Sequence, residues 1–452
     1  MQKINVVQVV DDSKFSSLHL TVVAWCAFIL LCDGYDMVVF GSVIPSLSAE
    51  WGITASTAGF IGSLTLFGSL IGCLVCGVLA DLFGRKKVVL ACFTLFGIFT
   101  LLTGFAQGPT DFAIYRFIAG LGLGGMPPLV IALTSEYAPK SNRSMLIGLM
   151  STGFSIGGIL VALLGIATIP RFGWEWMFFI GGLPLFALPF MIKNLPESLA
   201  YLVVKEDNQK VSGLLKRLNP SYKPNKDDIY EVNLPKTGMP VTKLFDEKRG
   251  ISSIMFWIVS FMVLLMVYGL GTWLPQLMVQ AGYPLKSSLM FLFALNIGAI
   301  FGQVGGGWIA DRKGSKQVII GMFVLGAICL AALGFKPVAI ILYLLVAIAG
   351  ACSTGTGCVN NAYTSKFYPT HIRSTGVGWS LGIGRFGAVA GPAFGGLLLE
   401  LNLPTQMNFI SFAIPAAIAA LAIVFVQDKY SDFKMGIDEP NHTNKNIESA
   451  NL

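Results

Sequence analysis

The amino-acid sequence predicts an all-α membrane protein, with twelve transmembrane helices in two pseudo-symmetric six-helix bundles. Three observations carry this. Of 452 residues, 54% are hydrophobic and 12% charged, and mean hydropathy is +0.71; soluble domains carry about 25% charged residues. Apolar runs that meet the roughly 20 residues of a membrane span recur twelve times. The two halves of the chain also repeat at one constant offset.

The apolar runs cover 21–43, 57–79, 88–107, 113–134, 146–168, 174–192, 251–273, 288–310, 317–334, 338–360, 375–399 and 406–426. We number them spans 1–12. Residues 1–20 are polar, carry Asp11 and Asp12 and lack a signal-peptide pattern, so they read as a cytoplasmic N-terminal segment with no cleavable leader. With the N-terminus inside, the short inner loops hold Arg85, Lys86, Lys87, Lys140, Arg143, Arg312, Lys313, Lys316, Lys366 and Arg373. The outer loops hold only Arg171, Lys286 and Lys336. This bias places both termini in the cytoplasm, and it explains most of the net charge of +7 without nucleic acid. Residues 21–192 form the first bundle, 193–250 a cytoplasmic linker with eleven Lys and Arg, 251–426 the second bundle, and 427–452 a polar tail. All eight cysteines fall in spans and read as packing residues rather than a disulfide framework; the CxxC at Cys73 and Cys76 has no metal-site context.

The repeat is seen where "GVLADLFGRKK" (77–87) aligns with "GWIADRKGSKQ" (307–317). Gly77, Ala80, Asp81 and Gly84 fall on Gly307, Ala310, Asp311 and Gly314. The same shift of 230 puts Pro139 on Pro369, Arg143 on Arg373 and Gly157 on Gly387. The halves should therefore superpose with Asp81 over Asp311. Parallel repeats around a midplane site are a transporter plan. Four charges inside spans break the symmetry: Asp33, Asp36, Arg116 and Arg385 map to Val263, Met266, Val346 and Ser155. They are additions to the scaffold, and functional specialisation is the favoured reason.

These motifs resemble the major facilitator superfamily. "GVLADLFGRKK" resembles its loop 2–3 signature, "RFIAGLGLGG" (116–125) its span-4 signature, and "PESLAYL" (196–202) the end of its span 6, with Leu199 and Ala200 in place of Pro and Arg. "DGYD" (33–36) looks like the DGxD signature of the aromatic acid:proton symporters. "GLGLGGMPPLVIALTSEYAPKSNRS" (120–144) is similar to that family's span 4 and following loop, and "INVVQVVDDSKFSSLH" (4–19) looks like the start of its benzoate transporters. Two departures stand out. Leu82 replaces the usual Arg, which Arg312 supplies in the second half, and "GAVAGPAFGG" (387–396) resembles an antiporter motif but lies in span 11 rather than span 5. We read that copy as a kink and close-packing site. The resemblance implies the major facilitator fold and a bacterial inner-membrane symporter. It would import a benzoate- or hydroxybenzoate-type acid with protons by alternating access, as a monomer without a cofactor. Its partners would be the small aromatic carboxylate, protons and the lipid bilayer.

The charges fit that chemistry. Asp33 and Asp36, at i and i+3, share a helical face, and two carboxylates in a low dielectric raise each other's affinity for a proton. They are the proton-coupling candidates; the alternative is a structural ion pair with Arg116, a contact inferred from the family fold. Gly34 between them allows another backbone to approach. Arg385, at mid-span, needs a partner for its charge: a substrate carboxylate matching its guanidinium fork, or else an Asp of span 1 or a carbonyl. Arg116 is a second substrate-binding candidate beside Arg385, and Tyr35, Phe40, Tyr268, Trp273 and Asn361 are candidates for a cavity wall. Asp81, Gly84, Arg85, Glu136, Arg143, Asp311, Arg312 and Arg373, at inner span ends, are the gating candidates; Glu136 lies in the family-like "SEYAPKSNR", and the alternative is solvated loop charge. Asn296 and Gln303 share a face in span 8, and His371 reads as a loop residue. No P-loop, nucleotide site or catalytic triad is present, so an ATP-driven pump or an enzyme has no support. The competing readings are a carrier or exporter of another organic anion and a non-transporting membrane sensor, which a longer signalling tail would favour.

Overall fold

A computed structural model describes residues 3–218, 228–232, 241–335, 338–369, 372–401 and 403–432; Lys336 and His371 lie outside them. Among the described residues, twelve helices are long and apolar enough to cross a membrane. In chain order the first six are Ser17–Trp51, Ala55–Phe83, Arg85–Thr103, Pro109–Tyr137, Arg143–Phe172 and Glu175–Asn194. The second six are Gly250–Gln280, Leu285–Lys313, Ser315–Leu333, Ala339–Phe367, Arg373–Glu400 and Thr405–Val424. Helices answer the absence of water in lipid, because every backbone bond closes within the segment. Most run past the apolar stretches that mark them in the sequence, since polar residues at the membrane surface continue the helix. Span 6 departs from a uniform helix: Glu175–Gly182 gives way to a 3-10 turn, Leu183–Ala187, before Leu188–Asn194. Pro184 and Pro189, which lack the N–H of the α ladder, account for the break.

The repeat extends to helix ends and packing. Spans 2, 3 and 4 begin and end 230 residues before spans 8, 9 and 10. Gly84 and Gly314 make the same sharp turn, with φ of 96° and 90°, where a side chain would be strained. Span 5 lies on span 1 so closely that a Cβ on Gly157 would come within 2.2 Å of the Leu31 carbonyl oxygen. The equivalent Gly387 would come within 2.0 Å of the Phe261 carbonyl oxygen. The close approach expected at Gly34 is also to span 5: a Cβ there would lie 2.0 Å from the Phe154 carbonyl oxygen. A Gly157→Ala variant should therefore lose about 1–3 kcal/mol or more to overpacking. Gly148→Ala, where a Cβ meets nothing within 4 Å, should be neutral or gain up to about 1 kcal/mol of helix propensity. Thermal-shift measurements on the two purified variants check this; equal midpoints would remove the packing argument.

The chain forms two compact units: Met1–Lys236 with Tyr268–Ile297 and Val389–Thr405, and Thr237–Val267 with Gly298–Ala388 and Gln406–Leu452. Within the first, the "GAVAGPAFGG" stretch has a specific construction. Ser63 of span 2 donates its hydroxyl to the Val389 carbonyl at 2.6 Å and accepts from the Ala393 N–H at 3.1 Å. The side chain thus enters the helical ladder of span 11 beside Pro392, a recognised cause of bending. The N-terminal segment is also structured. Lys3–Asn5 pairs in parallel with Ile229–Glu231 of the linker, and a short helix, Val6–Asp11, follows.

Candidate functional site

The first of the span charges meet in a buried knot. Asp36 is fully buried and Arg116 is 1% exposed. Arg116 Nη1 lies 2.9 Å from Asp36 Oδ1 and 2.8 Å from Oδ2, and Nη2 donates to the Asp36 carbonyl at 3.1 Å. Thr100 of span 3 donates its hydroxyl to Asp36 Oδ1 at 2.7 Å. The guanidinium also lies 5.7 Å from the centre of the Phe178 ring, a cation–π distance. Spans 1, 3, 4 and 6 thus hold one ion pair out of water. The two opposite charges compensate each other where water is excluded, as a buried pair requires. Asp33 is likewise buried, at 4% exposure, one helical turn before Asp36.

The wall candidates divide. Tyr35 is buried and donates its hydroxyl to the Met177 carbonyl at 2.8 Å. Phe40 packs on Phe112. Trp273 is fully buried, its indole N–H donating to the Pro392 carbonyl at 2.8 Å. These rings are taken up by helix packing in the first unit. Asn296 behaves similarly: its amide donates to Leu292 O, and its Oδ1 lies against Gly158. Tyr268 and, in the second unit, Asn361 and Arg385 are half-buried. A buried cluster joins spans 7, 10 and 11 in that unit: Ser260 and Ser380 share a hydrogen bond of 2.7 Å, and Asn360 donates to Ser260 at 3.0 Å.

The gating candidates gather at helix ends. Arg85 is paired with Glu136, whose carboxylate faces the Ser198 hydroxyl and the backbone N–H groups of Leu199 and Ala200. Glu197 Oε1 accepts from the Lys86 and Ser198 N–H groups, both at 2.9 Å, and Gly84 leaves room for that carboxylate. Acidic groups there satisfy orphan N–H donors and oppose the helix dipole. Arg143 is paired with Asp11 of the N-terminal helix. In the second unit Asp311 meets Lys366 at 3.1 Å, Arg373 meets Asp432 at 3.7 Å, and Arg312 stacks 3.8 Å over the Trp308 ring. Asp81 is exposed. Thr100, Phe178, Ser63, Asp11 and Glu197 were not singled out from sequence. Two of them carry a signal there, Glu197 by its place in "PES" and Asp11 by its place in the family-like stretch 4–19.

Twelve apolar helices, an internal repeat and charges buried inside the spans define a multi-pass membrane carrier. The sequence profile of the Major Facilitator Superfamily matches residues 26–335 and 287–446, and the chain belongs to that superfamily; its relatives are named as transporters, not enzymes. It is 45% identical to a benzoate transport protein of Acinetobacter baylyi, over 95% of this chain and 94% of that one. It is 38% identical to a gentisate transporter of Corynebacterium glutamicum, over 90% and 86%, and 33% identical to a 4-hydroxybenzoate transporter of Pseudomonas putida, over 94% and 96%. Among solved structures, a D-xylose-proton symporter superposes with a TM-score of 0.71 at 18% identity, covering 93% of this chain and 99% of that one. The xylose transporter of E. coli gives 0.71 at 17%, covering 90% and 96%. These structural likenesses bear on the fold alone.

Proposed function

We propose that this chain is a proton-coupled symporter that imports a benzoate-type or hydroxybenzoate-type acid across the bacterial inner membrane, with both termini in the cytoplasm. Relatives named for benzoate, gentisate and 4-hydroxybenzoate support the substrate class. The observation that carries the coupling is the buried Asp36–Arg116 pair, with Asp33 one turn away. A carboxylate that releases its arginine on protonation gives a carrier two states, and a ligand shifts such an equilibrium only through differential affinity. Proton and substrate then raise each other's affinity by one shared factor. Asp33 and Asp36 take the coupling role, with Arg116 as their counter-charge, and Arg385 holds the substrate carboxylate. The Tyr268 ring and the Asn361 amide remain wall candidates, whereas Tyr35 and Trp273 act through packing. The Arg85–Glu136 and Arg143–Asp11 pairs, with Asp81, Gly84, Asp311, Arg312 and Arg373, act in gating. No cofactor is required, and a monomer suffices.

The test is radiolabelled benzoate uptake into vesicles with an imposed inward proton gradient, competed with a panel of ring acids. Accumulation should be uphill and collapse with a protonophore. Uphill uptake that survives loss of both the pH gradient and the membrane potential would sink the proposal.

A further inference from the structure

The loop that joins spans 2 and 3 leaves one cation over. Arg85 is paired with Glu136, and Lys86 Nζ donates to the Ile192 carbonyl at 2.6 Å. Lys87 is exposed and has no ionic or hydrogen-bond partner among the described residues. It stands at one end of a cleft of about 650 Å³ between spans 2, 3 and 4, and it is the one charged side chain lining it. The walls are apolar: Val75 and Phe83 from span 2, Ala91 and Leu95 from span 3, Leu121 from span 4. Val75 and Phe83 are 48% and 56% exposed, so the cleft opens where the bilayer lies. From Lys87 to Leu95 it runs about 12 Å along the helix, at 1.5 Å per residue. At its floor the thiols of Cys76 and Cys92 lie 3.3 Å apart, against Gly125.

We propose that this cleft holds one acyl chain of an anionic phospholipid, with the headgroup phosphate on Lys87. Water has no polar partner along these walls, so hydrocarbon fills the space. A lysine at the end of a span reaches toward the headgroup level, and the charge bias assigns that end to the cytoplasmic side, where anionic lipids meet basic residues. The uncommitted charge makes the site selective: a net-negative headgroup gains the whole attraction, whereas a zwitterionic one carries its own cation beside the phosphate.

Native mass spectrometry of the full chain, exchanged into an equimolar mixture of phosphatidylglycerol and phosphatidylcholine, tests this. The wild type should retain a single-lipid adduct with about fivefold preference for phosphatidylglycerol, the worth of one cation near the surface. Lys87→Gln should keep the adduct and bring the preference close to one. Ala91→Trp, placed at an exposed position of the wall, should remove the adduct whatever the headgroup. Equal retention of both lipids by the wild type would overturn the proposal. So would a preference unchanged in Lys87→Gln, or a second copy of the chain bound in place of lipid. Because the Lys87→Gln ratio is read on retained lipid, it decides the matter even if Ala91→Trp folds poorly.

Discussion

Asp36→Asn should abolish concentrative uptake and destabilise the first bundle together. The variant leaves Arg116 as an uncompensated charge that is 1% exposed, and breaking a buried pair from one side costs about 3–5 kcal/mol. Loss of transport in that variant alone would not separate coupling from folding. The double variant Asp36→Leu with Arg116→Met does, because replacing both partners with apolar groups of similar volume is often neutral or stabilising. Its thermal midpoint should return toward that of the wild type, while uphill uptake stays absent. Asp33→Asn should also lose accumulation, since the second carboxylate of the pair is removed. If the double variant accumulated substrate normally, Asp36 and Arg116 would be scaffold, and the coupling proton would have to bind elsewhere.

Arg385→Lys should raise the KM for the acid by about ten- to a hundredfold, with the protein still folded. A charge-assisted hydrogen bond is worth about 1.5–3 kcal/mol, and lysine offers a point charge where arginine offers a planar fork. Half-burial of the native side chain in span 11 leaves space for the shorter one. The discriminating measurement is competition by the uncharged carboxamide of the same ring. On the wild type the amide should compete far more weakly than the acid, and on Arg385→Lys the gap should narrow. An amide that competed as well as the acid on the wild type would leave Arg385 no carboxylate to hold.

The spans, the 230-residue repeat and the unusual charges were legible in the sequence because each is written along the chain. Hydrophobic length follows from the thickness of the bilayer, and an offset needs only alignment of the chain with itself. The cost of charge in lipid makes Asp33, Asp36, Arg116 and Arg385 conspicuous wherever they fold. The tertiary structure alone decided what surrounds them. Thr100 is one of many threonines in apolar helices until packing of span 3 on span 1 brings its hydroxyl 2.7 Å from Asp36. Ser63 acquires its role only because Pro392 opens the ladder of a helix more than 300 residues away. Tyr35 and Trp273 look like cavity rings in sequence, yet the carbonyls of Met177 and Pro392 take up their polar ends. Asp11 and Glu197 lie in stretches with no hydrophobic period, and distant backbone and arginine groups give them partners. Hydrogen bonds between distant segments depend on helix rotation and separation at the ångström scale, and a pattern read along one chain does not contain those coordinates.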